Sequence, residues 1–137
     1  LFGTNQNELI EAAGGLKEGC EKVISGGPMM GFAMYTTDTP ITKTSSSILC
    51  MSKDEVSACE PTACINCGRC VDACPSRIIP SRLADFAERH DEEAFLKFNG
   101  LECVECGSCS YVCPAKRQLK QAIGSMRKTA LANKKKK

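Results

Sequence analysis

Eight of the eleven cysteines lie in two runs that have the same spacing. The first run contains Cys64, Cys67, Cys70 and Cys74, and the second contains Cys103, Cys106, Cys109 and Cys113. In both runs a glycine follows the second cysteine and a proline follows the fourth, and each of these positions recurs after 39 residues. The chain therefore contains an internal repeat whose shared residues are mainly thiols.

This spacing is typical of proteins that bind iron–sulfur clusters. A cubane 4Fe-4S cluster needs one thiolate for each of its four irons, and three cysteines separated by two residues can reach three of them. In a chain with two such runs, the fourth cysteine of each run binds the cluster of the other run. The sequence therefore predicts two 4Fe-4S clusters. The predicted ligands are Cys64, Cys67, Cys70 and Cys113 for one cluster, and Cys103, Cys106, Cys109 and Cys74 for the other.

Zinc and disulfides are the alternative uses of these cysteines. Structural zinc sites usually combine two separated pairs of ligands, which differ from runs of three cysteines followed by a fourth and a proline. The odd cysteine count, without a secretory signal, argues against a disulfide framework. Cys20, Cys50 and Cys59 stand outside the repeat and are predicted not to be ligands. Cys50 lies in an apolar run and is predicted to be a small buried residue.

The sequence offers no set of residues for acid–base or nucleophilic catalysis. His90 is the single histidine and is predicted to lie at the surface, so no Ser-His-Asp or Cys-His set is available. Lys116 and Arg117 follow the second cysteine run and are predicted to raise the reduction potential of the nearer cluster. The predicted chemistry is therefore electron transfer, with no catalytic residue.

Composition and charge exclude several other classes of protein. The 137 residues are 42% hydrophobic and 5% aromatic, which is typical of a folded chain with a modest core. No apolar run approaches the roughly 18 residues of a membrane helix, and the pattern of a signal peptide is not found, so we expect none. Residues 99–137 carry nine basic and two acidic residues, but no nucleic-acid-binding pattern accompanies them. The chain begins at Leu1 rather than at methionine, so we expect it to be a piece of a longer protein.

Residues 1–57 are predicted to form a small mixed unit of helix and strand. Asn5–Ala13 has the pattern of a short capped helix. Glu21–Ser25 and Ser47–Met51 have the pattern of short strands. Ser52 and Glu55 are spaced as in a capping box, which predicts a helical turn. Two strands and one helix would give only a thin core.

The run Gly26–Gly31 separates this unit's first strand from the residues that follow. It lacks the Gly-Lys-Ser/Thr ending of a phosphate-binding loop. It is therefore predicted to be a tight turn that packs Met29 and Met30 against the core.

The second half is predicted to be mainly helical. Ser81 is a candidate N-cap for a helix with apolar residues at helical spacing, namely Leu83, Phe86, Ala87, Ala94 and Phe98. Asp91 is a candidate N-cap for a second short helix that contains Phe95. A last helix is predicted from Ala115 to about Leu131, with one apolar face formed by Leu119, Ile123, Met126 and Ala130.

These features together resemble the C subunit of the Rnf ion-translocating electron transport complex. The second half resembles it in Cys64–Pro75, in Ile79-Pro80 and in Cys103–Arg117. The first half resembles it in Gly3–Gly15, in Gly26-Gly27-Pro28-Met29-Met30-Gly31 and in Pro40–Leu49. The double cysteine run is common to many ferredoxin-like proteins, whereas its combination with the Gly-Gly-Pro-Met-Met-Gly run is far more specific.

The resemblance implies an α+β fold in three parts. Residues 1–57 would be part of a β-grasp domain of the soluble-ligand-binding (SLBB) type. Residues 58–132 would be a mainly helical, ferredoxin-like domain with two 4Fe-4S clusters and a C-terminal helix. Residues 133–137 would be a basic tail.

The resemblance also implies a function. The chain would be an electron-transfer subunit that relays electrons between a flavin- and NADH-binding domain and the membrane subunits of a ferredoxin–NAD oxidoreductase, a translocase that moves Na⁺ or H⁺. The resemblance also implies that FMN and NAD(H) would bind to a part N-terminal to this segment. The segment itself has no Gly-rich dinucleotide fingerprint. The protein would be peripheral, on the cytoplasmic side of the cell membrane. Its partners would be the other subunits and ferredoxin, with no nucleic acid and no transmembrane segment of its own.

Three alternatives fit the residues less completely. The first is a β-grasp, two-cluster reductase of cobalamin metabolism, which would not pump ions. The second is a free ferredoxin-like electron carrier, which would need neither the first half nor the last helix. The third is an interaction protein in which the clusters are only structural.

Overall fold

The computed structural model describes residues 2–136 and divides into two compact units. The first unit extends to Cys59, and the second begins at Glu60. The two units are described separately below. None of the helices formed by residues 2–136 combines the length and the apolar character needed to cross a bilayer.

The first unit consists of one helix and a small antiparallel sheet. Helix α1 spans Gln6–Ala12, and strands β1, β2 and β3 span Lys22–Ser25, Phe32–Met34 and Ile48–Met51. The strand order is β2-β1-β3, so β1 is the central strand. Val23 of β1 lies opposite Met34 of β2 and Cys50 of β3.

The helix and two of the strands confirm the sequence prediction. The Asn5 side chain caps α1 by accepting a hydrogen bond of 2.9 Å from the backbone N–H of Asn7. Strand β2 was not predicted, because its three residues, Phe32–Met34, are too few to show an alternating pattern. The sheet therefore has three strands rather than two.

Two details of the first unit, the cap of a turn and the exposure of two methionines, correct the prediction. The turn at 55–58 is capped by Asp54, whose Oδ1 accepts from the backbone N–H groups of Val56 and Ser57, and not by Ser52. Met29 and Met30 are exposed rather than packed against the core.

Cys50 is exposed rather than buried. It lies on the edge strand β3, paired with Val23, and side chains alternate along a strand. Its side chain is therefore on the face opposite to the buried Ile24.

The second unit is formed by helices. Helices α2, α3 and α4 span Arg69–Asp72, Pro80–Glu88 and Glu92–Lys97. A single 3₁₀ turn at Gly100–Glu102 follows, and then helices α5 (Ser108–Tyr111) and α6 (Leu119–Lys136). Helices α3 and α4 pack against α6. The core is formed by Ile78, Leu83, Ala84, Ala87, Phe95, Cys109, Leu119, Ile123 and Met126.

The helix limits confirm the prediction in part. The Asp91 side chain caps α4 through a 2.9 Å hydrogen bond from the Ala94 N–H, as predicted. Helix α3, in contrast, begins at Pro80 with no side-chain cap, so Ser81 lies inside the helix. Proline is favoured in the first turn because its missing N–H needs no partner there.

The last helix starts later than predicted, but its apolar face is correct. It begins at Leu119, four residues after Ala115, and it continues past Leu131 to Lys136, through most of the predicted basic tail. Leu119, Ile123, Met126 and Ala130 are all buried. Together with the sheet of the first unit, these helices make the chain an α+β protein.

Candidate iron–sulfur sites

Two cavities in the second unit are each lined by four cysteines. The first cavity has a volume of about 110 Å³, and its cysteines are Cys64, Cys67, Cys70 and Cys113. The second cavity has a volume of about 20 Å³, and its cysteines are Cys74, Cys103, Cys106 and Cys109. Each cavity therefore takes three thiols from one run and the fourth thiol from the other run.

The remaining residues that line the two cavities are also related by the repeat. Every lining position of one cavity has its counterpart 39 residues away in the other cavity. Apart from the cysteines, these pairs are Ile65 and Val104, Asn66 and Glu105, Gly68 and Gly107, Pro114 and Pro75, Ala115 and Ser76, Arg117 and Ile78, Leu119 and Pro80, and Ser81 and Lys120. The sequence repeat is thus a structural repeat that builds the same cavity twice.

The backbone of the two runs explains why their thiols converge. Gly68 and Gly107 have φ angles of 77° and 86°, a left-handed conformation that glycine adopts without steric cost. They directly precede the short helices α2 and α5. Asn66 and Glu105, two residues earlier, are also left-handed, with φ angles of 53° and 55°. The chain therefore turns sharply between consecutive cysteines, so that their side chains face one cavity.

The donor set of both cavities fits an iron–sulfur cluster. Each cavity is lined by four cysteine residues, and a cubane needs one thiolate at each iron corner. All eleven cysteines are free thiols in the structure. Within residues 2–136, no three His, Cys, Asp or Glu side chains come close enough together to hold a single metal ion.

The thiols of the two cavities differ in exposure and in pKa. Cys64 and Cys67 of the first cavity are exposed, whereas Cys109 of the second cavity is buried. Burial raises the pKa of Cys109 to about 11 and also raises the pKa of Cys103. A hydrogen bond with Ser108 lowers the pKa of Cys106. Because a thiol must lose its proton before it can bind a metal, a cluster in the second cavity would displace protons from Cys103 and Cys109.

A network of charged side chains adjoins the first cavity. The Arg117 side chain lines this cavity, and its Nη2 donates hydrogen bonds to Asp85 Oδ1 (2.9 Å) and Glu88 Oε1 (2.8 Å). Burial favours a lower pKa for Arg117, but its hydrogen bonds to Glu88 and Asp85 outweigh burial and raise the pKa above its ordinary value. Lys116, which the sequence prediction pairs with Arg117, is exposed and does not line the cavity.

The second cavity has a different set of charges. Glu105 and Lys120 line it. Arg127 on α6 donates from Nη1 to Glu105 Oε1 (3.2 Å) and from Nε to the carbonyl oxygen of Leu101 (3.1 Å). Sequence reasoning did not select Glu105 or Lys120. The 39-residue offset relates them to Asn66 and Ser81 of the first cavity, but only the structure shows that these positions line a cavity.

The other reactive residues lie away from the cavities. Cys20, Cys50 and Cys59 line neither of them. Cys59 donates a hydrogen bond from its Sγ to the carbonyl oxygen of Glu55. His90 is exposed, in a turn with a φ angle of 57°.

Comparison with known sequences identifies the cysteine-rich region. The sequence profile of the 4Fe-4S dicluster domain matches residues 63–117, which include both cysteine runs. The chain is 50% identical over 123 residues to the C subunit of the proton-translocating ferredoxin:NAD(+) oxidoreductase complex of Clostridium ljungdahlii. It is 41% identical over 135 residues to the C subunit of the Na(+)-translocating ferredoxin:NAD(+) oxidoreductase complex of Acetobacterium woodii. It is 46% identical over 122 residues to the C subunit of the ion-translocating oxidoreductase complex of Methanosarcina acetivorans.

The matches cover most of this chain but a small part of each relative. They include 89%, 98% and 89% of this chain, respectively, and 27%, 30% and 27% of the three relatives. The similarity therefore extends beyond the cysteine runs into the first unit, and the chain spans less than a third of the length of these relatives.

Proposed function

We propose that this chain, which belongs to the family of C subunits of ion-translocating ferredoxin:NAD oxidoreductase complexes, is an electron-transfer segment that carries two 4Fe-4S clusters. The observation that carries this proposal is the pair of cavities, each with four thiols at repeat-related positions. When bound, the clusters would supply one-electron transfer. The named relatives are subunits of redox complexes that use ferredoxin and NAD or translocate ions, which supports the same function here.

The ligand assignment follows the thiols that share a cavity. Cys64, Cys67, Cys70 and Cys113 would hold the cluster of the first cavity, and Cys74, Cys103, Cys106 and Cys109 would hold the cluster of the second. Because each cluster would tie one run to the other, the clusters would also fix the packing of α2 and α5. The chain's own residues would place the clusters near each other, shield them and tune their potentials.

The wider setting follows from the family. The chain would relay electrons between two parts of the complex. One is the part of the whole protein that would bind FMN and NADH, and the other is the membrane subunits. The first unit would be part of an SLBB-type β-grasp domain. The protein would be peripheral on the cytoplasmic side of the membrane and would exchange electrons with ferredoxin, coupled to Na⁺ or H⁺ movement.

Double variants test the crossed ligation. Cys74→Ser alone should remove the cluster of the second cavity and leave about four irons per chain. Adding Cys106→Ala should remove nothing more, because both thiols would bind the same cluster. Adding Cys67→Ala instead should remove the remaining cluster as well and leave almost no iron.

The outcome separates crossed from local ligation. If each run held its own cluster, Cys74→Ser with Cys67→Ala would still leave about four irons, and Cys74→Ser with Cys106→Ala would leave almost none. Cys59→Ala is the matched control, since this exposed thiol lines neither cavity and should leave the iron content unchanged.

The relay itself is tested in the whole complex. The complex that carries Cys106→Ala should stay assembled but lose electron transfer between ferredoxin and NAD(+), while the Cys59→Ala complex keeps it. Normal turnover in an assembled Cys106→Ala complex would contradict the relay function. Loss of turnover in the Cys59→Ala complex would show that the assay reports general damage and would equally remove the support for the relay.

A further inference from the structure

Three pairs of repeat-related positions differ in charge between the two cavities, namely Arg117 with Ile78, Ser81 with Lys120, and Asn66 with Glu105. Where the second cavity is lined by the buried, uncharged Ile78, the first cavity is lined by Arg117. Most other pairs, such as Ile65 with Val104, are similar in kind. The first cavity therefore has a cation at a position where the second cavity has an aliphatic side chain.

The Arg117 side chain is held in place rather than free in solvent. Its Nη2 donates to Asp85 at 2.9 Å and to Glu88 at 2.8 Å, both on helix α3. The Arg117 side chain is only 12% exposed, whereas those of Asp85 and Glu88 are 36% and 57% exposed. The positive end of the network is thus shielded at the cavity wall, and its negative ends reach towards solvent.

We propose that Arg117 is a tuning residue that raises the reduction potential of the cluster in the first cavity and leaves that of the second cluster unchanged. This inference rests on the proposed function, because it requires a cluster in each cavity.

The physical reason is electrostatic. Reduction of a cluster held in this cavity would add one negative charge there, and the Arg117 guanidinium, which is largely shielded from water, would stabilise that charge. Arginine suits this position because its guanidinium stays protonated throughout the working pH range. The carboxylates of Asp85 and Glu88 lie against the guanidinium, so they hold it in place and oppose part of its effect.

The network therefore predicts shifts of opposite sign. Arg117→Gln should lower the midpoint potential of the first cluster, because the cation is lost and both carboxylates remain. Asp85→Asn combined with Glu88→Gln should raise it, because the cation remains without its counter-charges. Arg117→Lys should restore most of the wild-type value, since it restores the charge.

The measurement is an EPR-monitored potentiometric titration of the full-length, anaerobically purified protein. Each variant is placed in a Cys106→Ala background, which retains the first cluster, and in a Cys67→Ala background, which retains the second. Arg89→Gln is the matched control, because it removes a positive charge one residue after Glu88 and lines neither cavity. It should leave both potentials unchanged.

The results distinguish failure of this inference from failure of the proposed function. About four irons per chain in each background would show that the clusters are present. With that iron content, an unchanged first potential in Arg117→Gln, or shifts of the same sign in Arg117→Gln and the double carboxylate variant, would overturn the inference. Absence of iron and sulfide in the parent protein would instead overturn the proposed function.

Discussion

The glycine run between β1 and β2 allows a sharp test of the structure. The N–H of Gly31 donates to the carbonyl oxygen of Gly27 at 2.9 Å, which closes the turn. A Cβ atom at Gly31 would lie 2.5 Å from Gly27 O, 2.6 Å from Ile24 Cγ2 and 2.8 Å from Ser25 O. Two of these three atoms belong to the backbone, so they cannot move aside as a flexible side chain would. Gly31→Ala should therefore destabilise the sheet.

The magnitude follows from the cost of overpacking. Adding a methyl group to a closely packed site typically costs about 1–3 kcal/mol. Since about 1.4 kcal/mol corresponds to a factor of ten in an equilibrium constant, local opening should become roughly 5- to 150-fold more frequent. Gly27→Ala in the same turn is the matched control. Its added Cβ would meet no atom within 4 Å, so we expect no loss of stability. The sheet should instead gain up to about 1 kcal/mol, because alanine restricts the conformations of the unfolded chain.

The assay is native-state hydrogen exchange of the amides of β1, measured in the wild-type protein and both variants. This readout reports the local stability of the first unit, independently of cluster loss in the second. We expect β1 to lose protection in Gly31→Ala and to keep it in Gly27→Ala. Equal protection in the two variants would refute the close backbone approach at Gly31.

The remaining predictions concern a core ring, a helix cap and an ion pair. Phe95→Ala should destabilise the second unit by about 3–5 kcal/mol, because the ring is fully buried. In urea unfolding, the loss of stability should be larger than in Phe98→Ala, because the Phe98 side chain is 41% exposed. Asp91→Ala should cost about 1 kcal/mol by removing the cap of α4, measured as faster hydrogen exchange in that helix. The hydrogen bond from Lys22 lowers the pKa of Asp54 below its ordinary value of 3.8. The stabilising contribution of this ion pair is therefore complete above about pH 4 and is lost as the pH falls through the lowered pKa of Asp54. The free energy of unfolding of Asp54→Asn should depend less on pH in this range than that of the wild-type protein, as measured by urea unfolding at each pH.

The sequence predictions were most accurate where a helical periodicity or the repeated cysteine spacing determined the structure. The apolar spacing of Leu119, Ile123 and Met126 predicted the buried face of α6, because helical periodicity over many turns is a strong signal. The repeated cysteine spacing predicted two sets of four cluster ligands. The four cysteines of each set line one cavity, and their ligation of a cluster stays a prediction.

The sequence predicted less where the outcome depends on tertiary neighbours. The three residues Phe32–Met34 form a strand because β1 pairs with them, and a segment so short has no pattern of its own. Cys50 is exposed because its side chain lies on the face of the sheet opposite to the buried Ile24, which cannot be known before the strand pairing. Local sequence likewise could not show that Arg117, and not its neighbour Lys116, lines the first cavity.

The measurement that tests the central claim most directly is the cofactor content of the protein purified without oxygen. Iron, acid-labile sulfide and zinc should be determined together, with an EPR spectrum after dithionite reduction. Two cubane clusters predict about eight irons and eight sulfides per chain, with the spectrum of two interacting 4Fe-4S clusters. Zinc without sulfide would contradict the cluster assignment and, with it, the proposed electron-transfer function.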